Sequence, residues 1–297
     1  MFGKTRKTRK PFLELLKLTI LEFERGTLKN DDIQILFEAL ETNTTITFLD
    51  ISFNTINFES ACYLSDALEV NQTLTSLNLN GINIGFKGVQ EISDALKINT
   101  TLTSLEFKYG DLALESIWAL SELLKVNKTL TSLNLESKKY KIQGVTYLSE
   151  ALKVNETLTF LGLRNTNIGG EEIRKISESL KMNTTLTSMN LGYNNIRNNG
   201  AKELSELLLI NPTIICLDLT ANNIGTPAQN KINNLLKINS MIWTPSKHRY
   251  SEYDKREQLE RFAIMLLLQD NYFLPIELKY LMFEIFWVQL FFKRYID

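Results

Sequence analysis

The segment Asn71-Gln72-Thr73-Leu74-Thr75-Ser76-Leu77-Asn78-Leu79 decides the fold, because close copies of it return every 28 residues without insertion or deletion. The first residue of each copy is an asparagine: Asn43, Asn71, Asn99, Asn127, Asn155, Asn183, Asn211 and Asn239. Repetition at a fixed period of this size indicates a solenoid, in which each unit buries its apolar side chains only against its neighbours. The period therefore predicts a long continuous surface as well as a repetitive core.

Each unit contains a strand pattern followed by a helix pattern. Counted from the asparagine, apolar residues occupy the fourth, seventh and ninth places, as at Leu74, Leu77 and Leu79. The last two alternate with polar residues, as in a short strand. The apolar residues that follow, such as Val89 and Ile92, have helical spacing. Because strand–crossover–strand connections are right-handed, we predict an α/β solenoid of horseshoe shape, with a parallel sheet on the concave side and helices on the convex side.

The pattern Leu-x-x-Leu-x-Leu-x-x-Asn-x-Ile, seen with single conservative changes at 186–196 and 214–224, resembles the leucine-rich repeat. The unit length and the helical half resemble the ribonuclease-inhibitor type, which is also found in NOD-like receptor sensor regions and in activators of the Ran GTPase. The resemblance covers eight units at 15–238, of which 15–42 is a divergent N-terminal cap that follows a basic lead at 1–14. It implies a protein that binds another protein across its concave face.

The turn asparagine of this pattern is not present in every unit. It occurs at Asn54, Asn194 and Asn222, and other residues replace it elsewhere: Ile82, Gly110, Lys138 and Thr166. The strand leucines persist throughout, so the core is expected to be regular. The turns of the middle units are expected to be less so, above all between residues 108 and 142.

Residues that alternate with the buried leucines should point away from the helices. They occupy the sixth and eighth places, followed by the tenth and eleventh places in the turn, where Asn80 is one example. Most are serine or asparagine, with aromatic and charged residues among them. Exposed aromatics among charges are the residue types that anchor protein interfaces. The alternative is a solvated surface whose aromatics only cover leucines. We predict a recognition patch composed of Phe48, Asp50, Phe53, Glu106, Lys108, Tyr109, Glu136, Phe160, Arg164 and Tyr193.

The composition excludes partners that are recognised by net charge alone. Lysine and arginine number 33 against 34 acidic residues, a net charge of −1, which gives no bulk attraction to nucleic acid or to an anionic membrane. Residues 12–18 carry charges where a signal peptide needs an apolar core, so we predict a cytoplasmic location.

Cys62 and Cys216 lie too many repeats apart for a disulfide and are expected to be reduced thiols. The Asn-x-Thr sequons arise from the repeat and are not expected to carry glycans.

No constellation typical of an enzyme is visible. The single histidine, His248, follows the repeats, which excludes a two-histidine metal site and a cysteine–histidine pair within them. The glycines within 81–88 lack phosphate-loop spacing. A Ran-activator role would need asparagine and arginine in the N-terminal turns, where only Arg25 and Asn54 are candidates. We predict a monomer with no catalytic activity, no cofactor and no metal.

Residues 239–297 break the period and carry two helical patterns joined by a turn. Their uncharged runs are too short to span a membrane. One interpretation is a helical cap that shields the last repeat, as solenoid ends require. The alternative rests on Leu274-Pro275-Ile276-Glu277-Leu278, which resembles the opening of an F-box and, with the preceding leucine-rich helix, a SOCS-box. That resemblance implies that 259–296 bind the adaptor of a cullin-type ubiquitin ligase while the repeats hold its substrate.

Overall fold

A computed structural model of the chain describes residues 17–28, 30–110, 112–136 and 142–242, without the side chains of 30, 31, 241 and 242. The compact unit that contains the repeats ends at Asn239. The basic lead at 1–14 lies outside the described residues, as do Lys138 and the segment at 259–296 that is predicted to bind an adaptor.

Strands and helices alternate along the described residues. Eight strands of three residues each form one sheet: β1 (Ile20–Glu22), β2 (Phe48–Asp50), β3 (Ser76–Asn78), β4 (Ser104–Glu106), β5 (Ser132–Asn134), β6 (Phe160–Gly162), β7 (Ser188–Asn190) and β8 (Cys216–Asp218). A helix follows each strand: α1 (Asn30–Leu40), α2 (Phe58–Val70), α3 (Gly85–Ile98), α4 (Leu114–Val126), α5 (Ile142–Val154), α6 (Gly170–Leu180), α7 (Arg197–Ile210) and α8 (Thr226–Ile242). We number the repeats 1 to 8 after their strands.

The sheet is parallel, and its strands follow one another in sequence order from β1 to β8. Equivalent residues of neighbouring repeats pair, as Leu77 does with Leu105 and Leu105 with Leu133. These three middle residues of the strands are fully buried, together with helix residues such as Ala95 and Leu120. The buried residues form a core that continues from Leu21 to Leu235. The strand–helix solenoid predicted from the period is therefore confirmed.

The leading asparagine of each unit joins neighbouring repeats. Asn99 donates a hydrogen bond from Nδ2 to the backbone oxygen of Leu68, 2.7 Å away, near the C-terminal end of α2, two repeats before its own. Its Oδ1 accepts from the backbone nitrogens of Thr101 and Leu102. The same donation to a leucine carbonyl recurs at Asn71, Asn127, Asn155, Asn183 and Asn211. The side chains thus satisfy carbonyls that a helix end leaves without a partner. These asparagine side chains are buried, which agrees with the interpretation that the sequons arise from the repeat and are not glycosylation sites.

The turn asparagines make a second set of contacts between repeats. Asn194 accepts from the backbone nitrogens of Thr166 and Ile168 of the preceding repeat and donates to the oxygen of Leu191. Thr166, where the asparagine is replaced, is fully buried and donates its hydroxyl to the oxygen of Leu163, 2.8 Å away. This turn therefore remains hydrogen-bonded although its sequence departs from the pattern.

The two cysteines are free, as predicted. Cys62 is half-buried in α2 and Cys216 is exposed in β8. Burial, followed by the nearby carboxylates of Glu91, Asp66 and Glu59, raises the pKa of the Cys62 thiol. A raised pKa keeps this thiol protonated and weakly nucleophilic. Among the described residues, no helix is both long and apolar enough to cross a membrane.

Candidate functional site

The ten residues predicted to form the recognition patch all lie on the outward side of the sheet or in the turns that follow its strands. Four are first or third strand residues, beside a buried middle residue: Phe48, Asp50, Glu106 and Phe160. Six lie in the turns: Phe53, Lys108, Tyr109, Glu136, Arg164 and Tyr193. None of the ten is buried. Their contacts divide most of them between two clusters, however, and no ring contact of Phe48 or Phe160 with either cluster occurs in the described part of the chain.

Three aromatic residues occupy the eleventh place of their repeats with a left-handed backbone. Their φ angles are 55° at Phe53, 59° at Tyr109 and 55° at Tyr193. Gly81 and Asn165 hold the same place in other repeats, also at positive φ. Glycine and asparagine adopt this conformation easily, whereas a bulky residue is strained there by roughly 1–2 kcal/mol. The three rings are 41%, 58% and 52% exposed, so burial in the core does not offset the strain.

The first cluster, which we call the N-terminal cluster, consists of Arg25, Phe53 and Tyr109. The rings of Phe53 and Tyr109 stack across one intervening repeat, with centroids 6.0 Å apart and planes inclined by 25°. The guanidinium carbon of Arg25 lies 5.6 Å from the centroid of Phe53. Gly81 occupies the intervening turn, and a Cβ there would overlap the ring of Phe53. The missing side chain of Gly81 thus allows the Phe53 ring to lie over repeat 3.

Acidic side chains flank this cluster on the sheet. Asp50 accepts hydrogen bonds from Nδ2 of Asn78, at 2.6 Å, and from the backbone nitrogen of Ser52. Glu106 accepts from Nδ2 of Asn80 at 2.8 Å and forms an ion pair with Lys108 at 2.9 Å. Asn80 is itself buried, which contradicts the expectation that tenth-place residues all point outward. Its amide is buried because it donates to the carboxylate of Glu106 and accepts from the backbone nitrogen of Lys108.

The second cluster, the C-terminal cluster, is built around Arg164. Its guanidinium carbon lies 3.9 Å from the centroid of the Tyr193 ring. The same group lies 3.5 Å from a carboxylate oxygen of Glu136 and 3.8 Å from one of Asp218. Hydrogen bonds from the hydroxyl and backbone nitrogen of Thr220, and then the charge of Arg164, hold the pKa of Asp218 below its usual value. The cluster is therefore an ionised network that links repeats 5 to 8.

Several exposed or contacting residues lie outside the predicted recognition patch. Arg25 belongs to the N-terminal cluster and Asp218 to the C-terminal cluster. Their contacts depend on side-chain direction, which the sequence pattern does not give. Three further exposed aromatics lie on the helices of repeats 2 to 4: Phe58, Phe86 and Trp118. Phe58 and Phe86 hold the same place in consecutive repeats, and this coincidence was the available signal. Exposed aromatic rings are thus concentrated in the N-terminal half of the described repeats.

Two features of the described surface bear on its chemistry. The described residues contain no group of histidine, cysteine, aspartate or glutamate side chains placed to hold a metal ion. A cavity of about 490 Å³ lies beside β8, and Asp218 is the single titratable residue in its lining. Charges and rings suited to binding are the main features of this surface.

The chain is similar to known repeat proteins. Residues 42–61, 70–93 and 183–205 match the family model of the leucine-rich repeat. The matched segments, the parallel sheet and the alternating helices are all consistent with a leucine-rich repeat solenoid. A comparison with curated proteins gives no match.

The solved structures that resemble the chain include the two that follow. LegL7, a leucine-rich repeat-containing protein from Legionella pneumophila, is 17% identical with a TM-score of 0.48, covering 82% of this chain and 79% of its own. Actin-binding site 2 of leiomodin-1 is 27% identical with a TM-score of 0.43, covering 48% of this chain and 86% of its own.

Proposed function

We propose that this leucine-rich repeat solenoid is a non-enzymatic scaffold that binds a protein partner. The binding surface is the outward face of the sheet, predicted to be concave, together with the turns that follow its strands. Leucine-rich repeats present extended surfaces of this kind, and proteins built from them generally bind other proteins. The repeat is of the ribonuclease-inhibitor type in this proposal, and the protein is a cytoplasmic monomer.

The observation that carries the proposal is the strained backbone of Phe53, Tyr109 and Tyr193. A left-handed conformation at a bulky residue is unfavourable, and such strain concentrates at binding and catalytic sites. The same place holds glycine at Gly81 and asparagine at Asn165, so the repeat does not require an aromatic residue there. Exposed tyrosine and phenylalanine side chains are the kind that dominate the binding energy of protein interfaces.

The dimensions of the surface suit a protein partner. Phe53 follows β2 and Tyr193 follows β7, five strand spacings away, which corresponds to about 24 Å across the sheet. A standard protein interface buries roughly 800 Å² on each partner, and a surface of this length can supply that area. A small-molecule site would instead need a deep and largely apolar pocket.

The test of this function measures binding to a partner identified by capture with the wild-type chain. Tyr109→Asn combined with Phe53→Asn should weaken binding at least tenfold, because interface rings often contribute more than about 1.4 kcal/mol each. Trp118→Gln is the matched control, since it removes an exposed aromatic ring from the helix layer. If Trp118→Gln weakens binding and the turn variant does not, the sheet face is not the binding surface.

A role as substrate receptor of a cullin-type ubiquitin ligase is the second candidate. It depends on the Leu-Pro segment at 274–278 and on adaptor binding by 259–296, which lie outside the described residues. Pro275→Ala combined with Leu278→Ala should abolish co-purification of a cullin and its adaptor if this role is correct. Failure of the wild-type chain to bring down either protein would rule the role out and would leave the scaffold proposal standing.

A further inference from the structure

The acidic side chains of the sheet face are unevenly neutralised. Glu106 has Lys108 as its ion-pair partner, and Glu136 and Asp218 both lie against Arg164. At the N-terminal end, Glu22, Glu24 and Asp50 form no ion pair with any described residue. Glu22 and Asp50 are register partners on adjacent strands, and Glu24 follows two residues after Glu22. Negative charge therefore exceeds positive charge on the sheet face of repeats 1 and 2, where Arg25 lies over Phe53 and forms no ion pair with these carboxylates in the described part of the chain.

The aromatic rings beside these acids already accept guanidinium groups. Arg25 lies over Phe53, and Arg164 lies over Tyr193 at the shorter distance of 3.9 Å. No cation lies over Tyr109 among the described residues, although its ring is the most exposed of the three turn aromatics. Cations bind the faces of aromatic rings, and arginine does so more often than lysine because its planar group also stacks.

We propose that the face formed by Glu22, Glu24, Asp50, Phe53 and Tyr109, here called the acidic–aromatic face, binds an arginine-bearing basic segment of a partner protein. This inference rests on the proposed scaffold function and specifies the chemistry of its partner. One guanidinium pairs with the carboxylates of repeats 1 and 2, and a second stacks on the ring of Tyr109. Anionic partners such as nucleic acid or phospholipid surfaces are repelled by the same carboxylates.

The spacing on the sheet fits an extended segment that crosses the strands. From β1 to β4 there are three strand spacings, about 14 Å. An extended peptide rises about 3.3 Å per residue, so two arginines about four residues apart span this distance. Carboxylates bind guanidinium groups through paired charge-assisted hydrogen bonds, which lysine cannot reproduce. The face therefore selects arginine by geometry as well as by charge.

The test uses the full chain and a display library of random peptides, which requires no knowledge of the natural partner. Selection should enrich peptides with arginines about four residues apart. Replacement of those arginines by lysine should weaken binding several-fold, and replacement by glutamate should abolish it. No enrichment of arginine, or equal binding of the arginine and glutamate peptides, would overturn the inference.

Matched variants distinguish specific binding at the acidic–aromatic face from non-specific electrostatic attraction. Glu22→Gln with Glu24→Gln should weaken the selected peptide about tenfold, as expected for the loss of charge-assisted contacts. Glu69→Gln with Glu91→Gln removes the same charge from exposed positions on α2 and α3 and should leave binding unchanged. Equal weakening by both pairs would show non-specific attraction and contradict the inference.

Two further outcomes would show which proposal has failed. If Tyr109→Asn abolishes binding of the natural partner while arginine peptides show no preference, the scaffold function stands and the arginine inference fails. The chain's own basic residues at 1–10 are the competing occupant of the face. If exchange of their lysines and arginines for glutamine tightens peptide binding about tenfold, a change of roughly 1.4 kcal/mol, the face belongs to the chain's own segment and the partner assignment is overturned.

Discussion

Arg164 lies with its guanidinium carbon 3.9 Å above the ring of Tyr193, a residue of the next repeat. Carboxylates from repeat 5 and repeat 8 approach the same guanidinium, so one side chain contacts three other repeats. Such a contact stabilises the array and at the same time fixes the orientation of the Tyr193 ring. The C-terminal cluster is therefore structural as well as exposed, whereas the N-terminal cluster retains an uncovered ring at Tyr109.

Arg164→Ala should lower the free energy of unfolding by about 1 kcal/mol, because it removes a cation–π contact and two partly exposed ion pairs. Arg164→Lys should recover only part of this loss, since an ammonium group cannot stack on Tyr193 and reach both carboxylates. Urea denaturation followed by circular dichroism measures both values. Lys202→Ala, which removes the exposed 3.8 Å pair with Glu206 on α7, is the control and should change stability very little. If Arg164→Ala and Lys202→Ala lower the free energy of unfolding equally, the network around Arg164 does not contribute to stability.

Tyr109→Asn should leave the free energy of unfolding within about 0.5 kcal/mol of the wild type. Asparagine relieves the left-handed strain, and this gain offsets the lost stack with Phe53. Tyr109→Val should instead destabilise the protein by about 1–2 kcal/mol, because a β-branched residue tolerates positive φ poorly. Thermal and urea unfolding of the two variants distinguish them. A larger loss for asparagine than for valine would place the Tyr109 ring in the core.

Gly81→Ala should destabilise the protein by about 2 kcal/mol, through positive φ and through overlap of the new Cβ with Phe53. Gly26→Ala is the matched control, because Gly26 also has positive φ but has open space where a Cβ would lie. Its cost should be about 1 kcal/mol from backbone strain alone. Phe53→Asn in the Gly81→Ala background should remove the difference between the two. If both glycine variants lose the same stability, the Phe53 ring moves aside without cost.

Asn127→Ala should destabilise the protein by about 2–4 kcal/mol, because it leaves the buried carbonyl of Leu96 and the backbone nitrogens of Thr129 and Leu130 without partners. Asn234→Ala is the control, since Asn234 is exposed on α8. Its effect should be close to zero. Chemical denaturation compares the two, and a loss below about 1 kcal/mol for Asn127→Ala would mean that water replaces the missing amide.

The sequence predicts the core well, because strand leucines such as Leu77 and Leu133 recur at places fixed by backbone geometry. It predicts the outward placement of patch residues by the same alternation. It fails in the turns, where side-chain direction depends on local φ and on hydrogen bonds formed after folding. Asn80 is buried against Glu106 for this reason. The division of the predicted patch into two clusters likewise depends on the side-chain conformations of Arg25 and Arg164. The 28-residue period does not predict these conformations.

The hydrogen bonds donated by the leading asparagines influence how the protein unfolds. Each amide donates to a helix-end carbonyl two repeats earlier, so it couples only repeats that lie close together in the array, whose cooperativity depends on the weakest of these links. Asn127 lies in sequence between the N-terminal cluster, which ends at Tyr109, and the C-terminal cluster, which begins at Glu136. A break at this link would divide a single unfolding transition into two, one for each cluster. The proposed recognition across the whole sheet therefore requires that the hydrogen bonds of Asn127 in the middle of the array remain formed.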